Sequence, residues 1–176
     1  MYIGRLGSGS HPNDGIYILL KELIDNSIDE FIMGHGKRID IRIDNGEVSV
    51  RDFGRGIPLG KVVDCVSIIN TGAKYISEVF QFSVGLNGVG TKAVNALSET
   101  FEVVSHREGK AVRASFLNGV LSGNPVQEST SERDGTRVKF LPDPAIFPKF
   151  SFDFSMIRKR LWNLSLIHIS EPTRLR

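Results

Sequence analysis

Lys21-Glu22-Leu23-Ile24-Asp25-Asn26-Ser27-Ile28-Asp29-Glu30 separates its polar and apolar residues with a helical period. Residues three and four apart are neighbours on a helix, so Glu22 lies over Asp25 and Asn26, and both lie near Asp29. The apolar set Ile16, Leu19, Leu20, Leu23, Ile24, Ile28 and Phe31 occupies the opposite side. This predicts an amphipathic helix from about Asp14 to Met33, stopped by Gly34-His35-Gly36. No Lys or Arg occurs between Lys21 and Lys37, so the acidic face is expected to lack a local counter-charge. Carboxylates at this spacing repel one another, and an external cation would relieve them. A carboxylate beside a carboxamide suits a hard ion such as Mg2+. A solvated acidic face is the plainer alternative, and the helix alone does not choose between the two.

Downstream of the helix, Arg38-Ile39-Asp40-Ile41-Arg42-Ile43-Asp44 alternates with period two. Asn45-Gly46 is a strong two-residue hairpin signal, and Glu47-Val48-Ser49-Val50-Arg51 is the return strand. That strand ends at Asp52, where Asp52-Phe53-Gly54-Arg55-Gly56-Ile57-Pro58 predicts a glycine-punctuated loop. A short buried helix is predicted over 60–70, a covering loop over 71–90 and a helix over 91–98. Strands are predicted at 100–106, 111–117 and 135–141, with an exposed polar loop over 122–134. A last helix is predicted to begin near Asp153. Helices gathered first and antiparallel hairpins afterwards argue for an α+β layer fold.

The 176 residues suit one domain, and a hydrophobic content of 40% supports one packed core. The net charge of +2 announces neither nucleic acid nor membrane as a partner. A single cysteine, Cys65, rules out an intrachain disulfide; within Val62-Val63-Asp64-Cys65-Val66 it is expected to be buried and inert. His11, His35, His106 and His168 have no metal-ligand spacing, and Arg158-Lys159-Arg160 fits a solvated helix face. No apolar run approaches a membrane span and no signal peptide opens the sequence, so the expected compartment is the cytoplasm.

A carboxylate such as Asp52 at a strand end can accept a hydrogen bond from an amino group, for example the exocyclic amine of adenine. Gly54 and Gly56 would let a flat ring approach the backbone, although Asp and Gly are also the commonest turn residues. Gly85-Leu86-Asn87-Gly88-Val89-Gly90 can cradle phosphates through backbone N–H groups. Its order, G-x-x-G-x-G, departs from the dinucleotide fingerprint. Thr91-Lys92 reverses the Lys-Ser/Thr pair of a P-loop, which remains the runner-up from local pattern.

Taken in order, Glu22-x-x-x-Asn26, Asp52-x-Gly54-x-Gly56, Gly85-x-x-Gly88-x-Gly90 and Gly135-Thr136 match the four signature boxes of the GHKL ATPases. That superfamily includes gyrase, the ninety-kilodalton heat-shock chaperones, histidine kinases and mismatch-repair ATPases. Met1-Tyr2-Ile3-Gly4, Gly54-Arg55-Gly56-Ile57-Pro58 and Thr71-Gly72-Ala73-Lys74 narrow the likeness. Residues 1–163 resemble the ATPase domain of bacterial type IIA topoisomerase B subunits, the topoisomerase IV branch more than the gyrase branch.

The resemblance implies a Bergerat-type two-layer α/β sandwich, with helices on one face of a mixed, mostly antiparallel sheet. It implies ATP and Mg2+ as cofactors. Glu22 would be the general base, Asn26 the Mg2+ ligand and Asp52 the reader of the adenine amine, with Thr136 assisting through a water. Gly54, Gly56, Ile57 and Pro58 would border the adenine. Lys74 and the backbone of Gly85, Leu86, Asn87, Gly88, Val89 and Gly90 would contact the phosphates. Glu30 and Arg55 would form an ion pair at the pocket mouth, beside the site of coumarin-type inhibitors. The implied partners are a second copy of the same polypeptide, the companion A-type polypeptide and DNA in the holoenzyme, with no membrane. A remnant that binds nucleotide without turnover is the alternative from another class. A chaperone or histidine-kinase ATPase is a third reading, opposed by the Met-Tyr-Ile-Gly and Thr-Gly-Ala-Lys segments.

Asn87 stands where the family more often has His; the glycines supply the backbone contacts, so the exchange is expected to be tolerated. By the same resemblance, the sequence lacks the upstream arm, the transducer domain with its γ-phosphate lysine and the toprim domain. It is therefore expected to bind ATP, hydrolyse it weakly and pass no DNA strands alone. Leu164-Ser165-Leu166-Ile167-His168-Ile169-Ser170-Glu171-Pro172-Thr173-Arg174 looks like the in-frame translation of a transposase-end adapter used in sequencing libraries. Residues 164–176 are accordingly expected to be foreign and loosely packed, with Leu166, Ile167 and Ile169 able to extend the preceding helix as far as Pro172.

Overall fold

A computed structural model describes residues 15–67, 90–161 and 167–170. Helix α1 spans Gly15–Ile32, as its apolar period predicts, and buries Ile16, Leu19, Leu20, Leu23, Ile24 and Ile28. Phe31 departs from that set: in the last turn of α1 it is 40% exposed.

The sheet begins with the hairpin β1 (Ile39–Asp44) and β2 (Glu47–Asp52), paired from Ile39↔Asp52 to Asp44↔Glu47. Asn45 and Gly46 both have positive φ, 51° and 86°, the geometry that a right-twisted two-residue turn requires. A 3-10 turn over Leu59–Lys61 runs into the short helix α2 (Val62–Val66). The helix predicted for 60–70 is thus shorter within the described residues, with Ser67 extended at its end. Cys65 on α2 is exposed, contrary to expectation, since Val62 and Val66 occupy the inward face of this short helix.

Helix α3 (Gly90–Ala96) ends earlier than its pattern predicts, and strand β3 (Ser98–Arg107) begins immediately afterwards. Strands β4 (Lys110–Leu117) and β7 (Gly135–Pro142) match their predicted positions. The polar stretch predicted as loop instead contains β6 (Val126–Ser129), preceded by β5 (Val120–Leu121); both pair with β4. Strand β6 is exposed at every position, so it carries no burial signal in the sequence. Helix α4 (Phe154–Leu161) follows Asp153, whose Oδ1 accepts the Ser155 N–H at 2.8 Å.

Strand β8 (Ile167–Ser170) pairs in parallel with β1, from Ile39↔Ile167 to Arg42↔Ser170. This corrects the expectation of a loosely packed tail that prolongs the helix. Ile167-His168-Ile169-Ser170 alternates like a strand, and the β1 edge offers unpaired backbone groups that such a segment satisfies.

The sheet order is β5-β4-β3-β7-β2-β1-β8, with β6 beside β4; among the described residues only the β1–β8 pairing is parallel. The architecture is therefore an α+β two-layer sandwich with helices packed on a mixed, mostly antiparallel sheet. The core lies between the layers. The buried α1 residues share one hydrophobic cluster with Ile39, Ile41, Val48, Val50, Phe101, Val103, Val138 and Phe140 from the sheet. This packing carries the polar side of α1 past the end of β2 and the start of α3, where the candidate site lies.

Candidate functional site

Strand β2 delivers Asp52 to the edge of the core. Its Oδ1 accepts the Gly54 N–H at 2.9 Å and the Thr136 N–H at 3.2 Å. The second carboxylate oxygen has no hydrogen-bond donor among the described residues. Burial pushes the Asp52 carboxyl above its ordinary range, and Glu30 adds to that; the two backbone donors and the Arg51 charge oppose it. A partly desolvated carboxylate, held on one oxygen and free on the other, is suited to accept a donor from a ligand.

Gly56 lies so close to the β3 backbone that a Cβ would sit 2.5 Å from His106 O, and its φ is +74°. Both facts require glycine there. The Ser105 hydroxyl donates to Ile57 O at 2.7 Å, which fixes the strand-to-turn passage. Ile57 is half-buried and Pro58 exposed.

Arg55 grips Glu30 across this loop. Nε donates to Oε2 at 3.1 Å, Nη2 to Oε1 at 2.8 Å, and the Arg55 backbone N–H to Oε2 at 3.1 Å. The Arg55 side-chain hydrogen bonds hold the Glu30 carboxyl below the usual carboxylate range. A Cβ on Gly54 would lie 2.8 Å from Glu30 Oε2, so the loop tolerates nothing larger there while the pair is formed.

On α1, Glu22 points toward the start of α3, where a Cβ on Gly90 would collide with its Oε2. Burial raises the Glu22 pKa; Lys21 opposes the rise and Asp25 adds to it. One turn on, Asn26 Nδ2 donates to Thr91 Oγ1 at 2.8 Å, which leaves the carboxamide oxygen as the acceptor available to a ligand. The acidic face does have a local counter-charge: Lys21 is ion-paired with Asp25 one turn away. The lysine reaches along its own helix, a pairing open to any i,i+4 acid and base.

The structure thus brings Glu22, Asn26 and Gly90 together at one end of the site, and Asp52, Gly54, Gly56 and Thr136 at the other. Lys74, Gly85, Leu86, Asn87, Gly88 and Val89 lie outside the described residues, as do the 1–4 and 71–74 boxes. Two participants are not among the residues that the sequence assigns to the site. Arg51 stands near the end of an alternating strand, where a charge ordinarily faces solvent, yet it is 7% exposed. Thr91 stands out in the sequence only for its order relative to Lys92.

The family model described as histidine kinase-, DNA gyrase B- and HSP90-like ATPase matches residues 12–146. The chain is 57% identical over 168 residues to the B subunit of DNA topoisomerase 4 from Borreliella burgdorferi, covering 96% of this chain and 28% of that one. It is 38% identical over 174 residues to the B subunit of DNA topoisomerase 4 from Staphylococcus aureus, covering 92% of this chain and 25% of that one. The chain therefore spans about a quarter of the length of these curated relatives. It also superposes on the 43K ATPase domain of Thermus thermophilus gyrase B, solved in complex with an aminocoumarin. That match has a TM-score of 0.74 at 32% identity, covering 100% of this chain and 47% of that one.

Proposed function

We propose, from the premise that the chain belongs to the histidine kinase-, DNA gyrase B- and HSP90-like ATPases, that it is the ATP-driven clamp module of a type IIA topoisomerase. In this reading ATP turnover closes one copy against a second, and the A-type polypeptide and DNA complete the working enzyme in the cytoplasm. Among the described residues no helix is long and apolar enough to cross a membrane.

The observation that carries the reading is the pair of opposed carboxylates. Asp52 is anchored on one oxygen by Gly54 and Thr136. Glu22 is set against Gly90 at the start of α3. Asp52 accepts the adenine amine through its second oxygen, with Thr136 assisting through a water, while Gly54, Gly56, Ile57 and Pro58 border the ring. Lys74 and the backbone of 85–90 contact the phosphates.

Glu22 takes a proton from the attacking water. The water oxygen bonds to the γ-phosphorus, and the bond to the β,γ-bridging oxygen breaks with its electron pair leaving on ADP. The raised pKa of Glu22 makes it a better proton acceptor than an ordinary carboxylate while leaving it ionisable.

The donor set fits Mg2+. Asn26 offers one hard oxygen, and no group of three or more His, Cys, Asp or Glu that could hold a metal occurs among the described residues. Mg2+ commonly binds through one or two protein oxygens plus phosphates and water. Asn26 would hold the ion, which when bound supplies neutralisation of phosphate charge.

Calorimetric titration with ATP and Mg2+, alongside phosphate release, tests the reading. Micromolar to millimolar affinity with slow turnover is expected; absence of ATP binding by the folded chain overturns it.

A further inference from the structure

Strand β2 pairs with β7 only as far as Arg51↔Arg137. Beyond that point the backbone ladder no longer holds the end of β2 against the residues that enter β7. The Arg51 side chain takes over. Its Nη1 donates to Asp52 O at 2.7 Å, and its Nη2 donates to Arg133 O at 2.6 Å. Its guanidinium carbon lies 4.8 Å from the Phe53 ring centroid, and Nη2 lies 4.0 Å from Glu132 Oε2. Gly135 completes the clasp, because a Cβ there would come within 2.6 Å of Arg51 Nη1. The two segments so joined are those whose side chain and backbone meet in the Asp52–Thr136 hydrogen bond.

We propose that Arg51 is a positioning residue for base selection: it fixes the Asp52 peptide against the 133–136 segment and thereby holds the Asp52 carboxylate where it accepts an exocyclic amine. The inference rests on the reading of Asp52 as the adenine acceptor. Arg51 touches no nucleotide in this scheme. The planar guanidinium suits the role because it reaches two carbonyls at once, which an ammonium on a flexible stem does not do with the same rigidity.

The readout is discrimination between ATP and ITP, which carries an oxygen in place of the exocyclic amine. Dissociation constants for both nucleotides are measured by calorimetry on the full chain and on Asp52→Asn, Arg51→Met and Arg51→Lys. Arg51→Met is expected to weaken ATP by about tenfold, the cost of one misaligned charge-assisted hydrogen bond, and to leave ITP within about twofold. A merely structural residue would weaken both nucleotides equally. Arg51→Lys keeps the charge and is expected to restore part of the ratio. If Arg51→Met does not fold, the lysine variant decides, with a reduced ATP preference of at least about threefold expected. An unchanged ATP/ITP ratio in the folded arginine variants, while Asp52→Asn collapses it, overturns the positioning role and leaves the Asp52 reading intact. An unchanged ratio in Asp52→Asn as well overturns the Asp52 reading itself.

Discussion

The Thr136 N–H donates to Asp52 Oδ1 at 3.2 Å, although the two residues are 84 positions apart in the chain. The bond joins the end of β2 to the start of β7, and it occupies the oxygen that Gly54 already engages. The carboxylate is thereby oriented from two directions before any ligand arrives. Such preorganisation lowers the ordering cost of binding.

Asp52→Asn should weaken ATP binding while leaving the ligand-free protein no less stable. Loss of a charge-assisted hydrogen bond costs about 1.5–3 kcal/mol, which is roughly ten- to over a hundredfold in affinity. Burial holds the folded pKa of Asp52 above its ordinary value. Its stabilising contribution is therefore fully present below the unfolded pKa and lost as pH rises through the folded pKa. Above that folded pKa the ionised carboxylate is a burden on the fold that asparagine removes. Calorimetry and denaturant melts on the same preparation check both halves, and unchanged ATP affinity in a folded variant would remove Asp52 from the adenine site.

Glu22→Gln should retain nucleotide affinity and lose turnover by roughly 10²–10⁴-fold, the usual contribution of a positioned general base. Because burial holds the Glu22 pKa above the ordinary glutamate value, the rate should rise with pH through that raised value as the base ionises. Phosphate-release rates across a pH series report it. Normal turnover by the glutamine variant would assign the base elsewhere.

Gly90→Ala should also impair turnover, by displacing the Glu22 carboxylate that a Cβ at this position would strike. Alanine is a better helix former than glycine, so a rate loss of about tenfold or more with undiminished helicity is the expected pattern. Equal rates for the two proteins would show that Glu22 can act from another rotamer.

The contribution of His106 to stability should fall as pH drops below about 6.5, the ordinary value for histidine. His106 is 3% exposed, and burial together with the Arg51 charge holds its pKa below that value. The unfolded chain then takes up the proton first. The contribution is full above the unfolded pKa and lost as pH falls toward the folded one. Glu132 Oε2, 3.5 Å from Nε2, offsets part of this. Urea midpoints at about pH 7.5 and about pH 5.5, on either side of that ordinary value, should differ less in His106→Gln than in the parent sequence; equal differences would exclude His106 as the source.

Removing residues 164–176 should destabilise the protein. Four registered pairs join the β8 backbone to β1 in parallel, and with backbone hydrogen bonds worth about 0.5–1.5 kcal/mol each the loss is on the order of a few kcal/mol. Denaturant melts of the full and shortened chains measure it. A change under about 0.5 kcal/mol, the range of ordinary surface alterations, would mean that this edge strand contributes little.

Local chemistry is enough to recognise the layers and part of the site. The period of α1 survives in Ile16 to Ile28, because a helix must turn one stripe inward. Asn45-Gly46 predicts its hairpin because few residue pairs accept positive φ twice in succession. Asp52 at a strand end beside glycines is legible for the same local reason. The sequence by itself thus determined α1, the β1–β2 hairpin and strands β3, β4 and β7, with the residue types at their ends; it did not reveal β5, β6 or β8. Only the tertiary structure decided which distant ends meet. The burial of Arg51 depends on Arg133 O, 82 positions away. The exposure of Cys65 depends on which face of a five-residue helix finds the core. The parallel pairing of β8 depends on an open edge at β1. Periodicity is set by neighbours a few residues away, whereas these outcomes are set by backbone groups that must find partners across the fold.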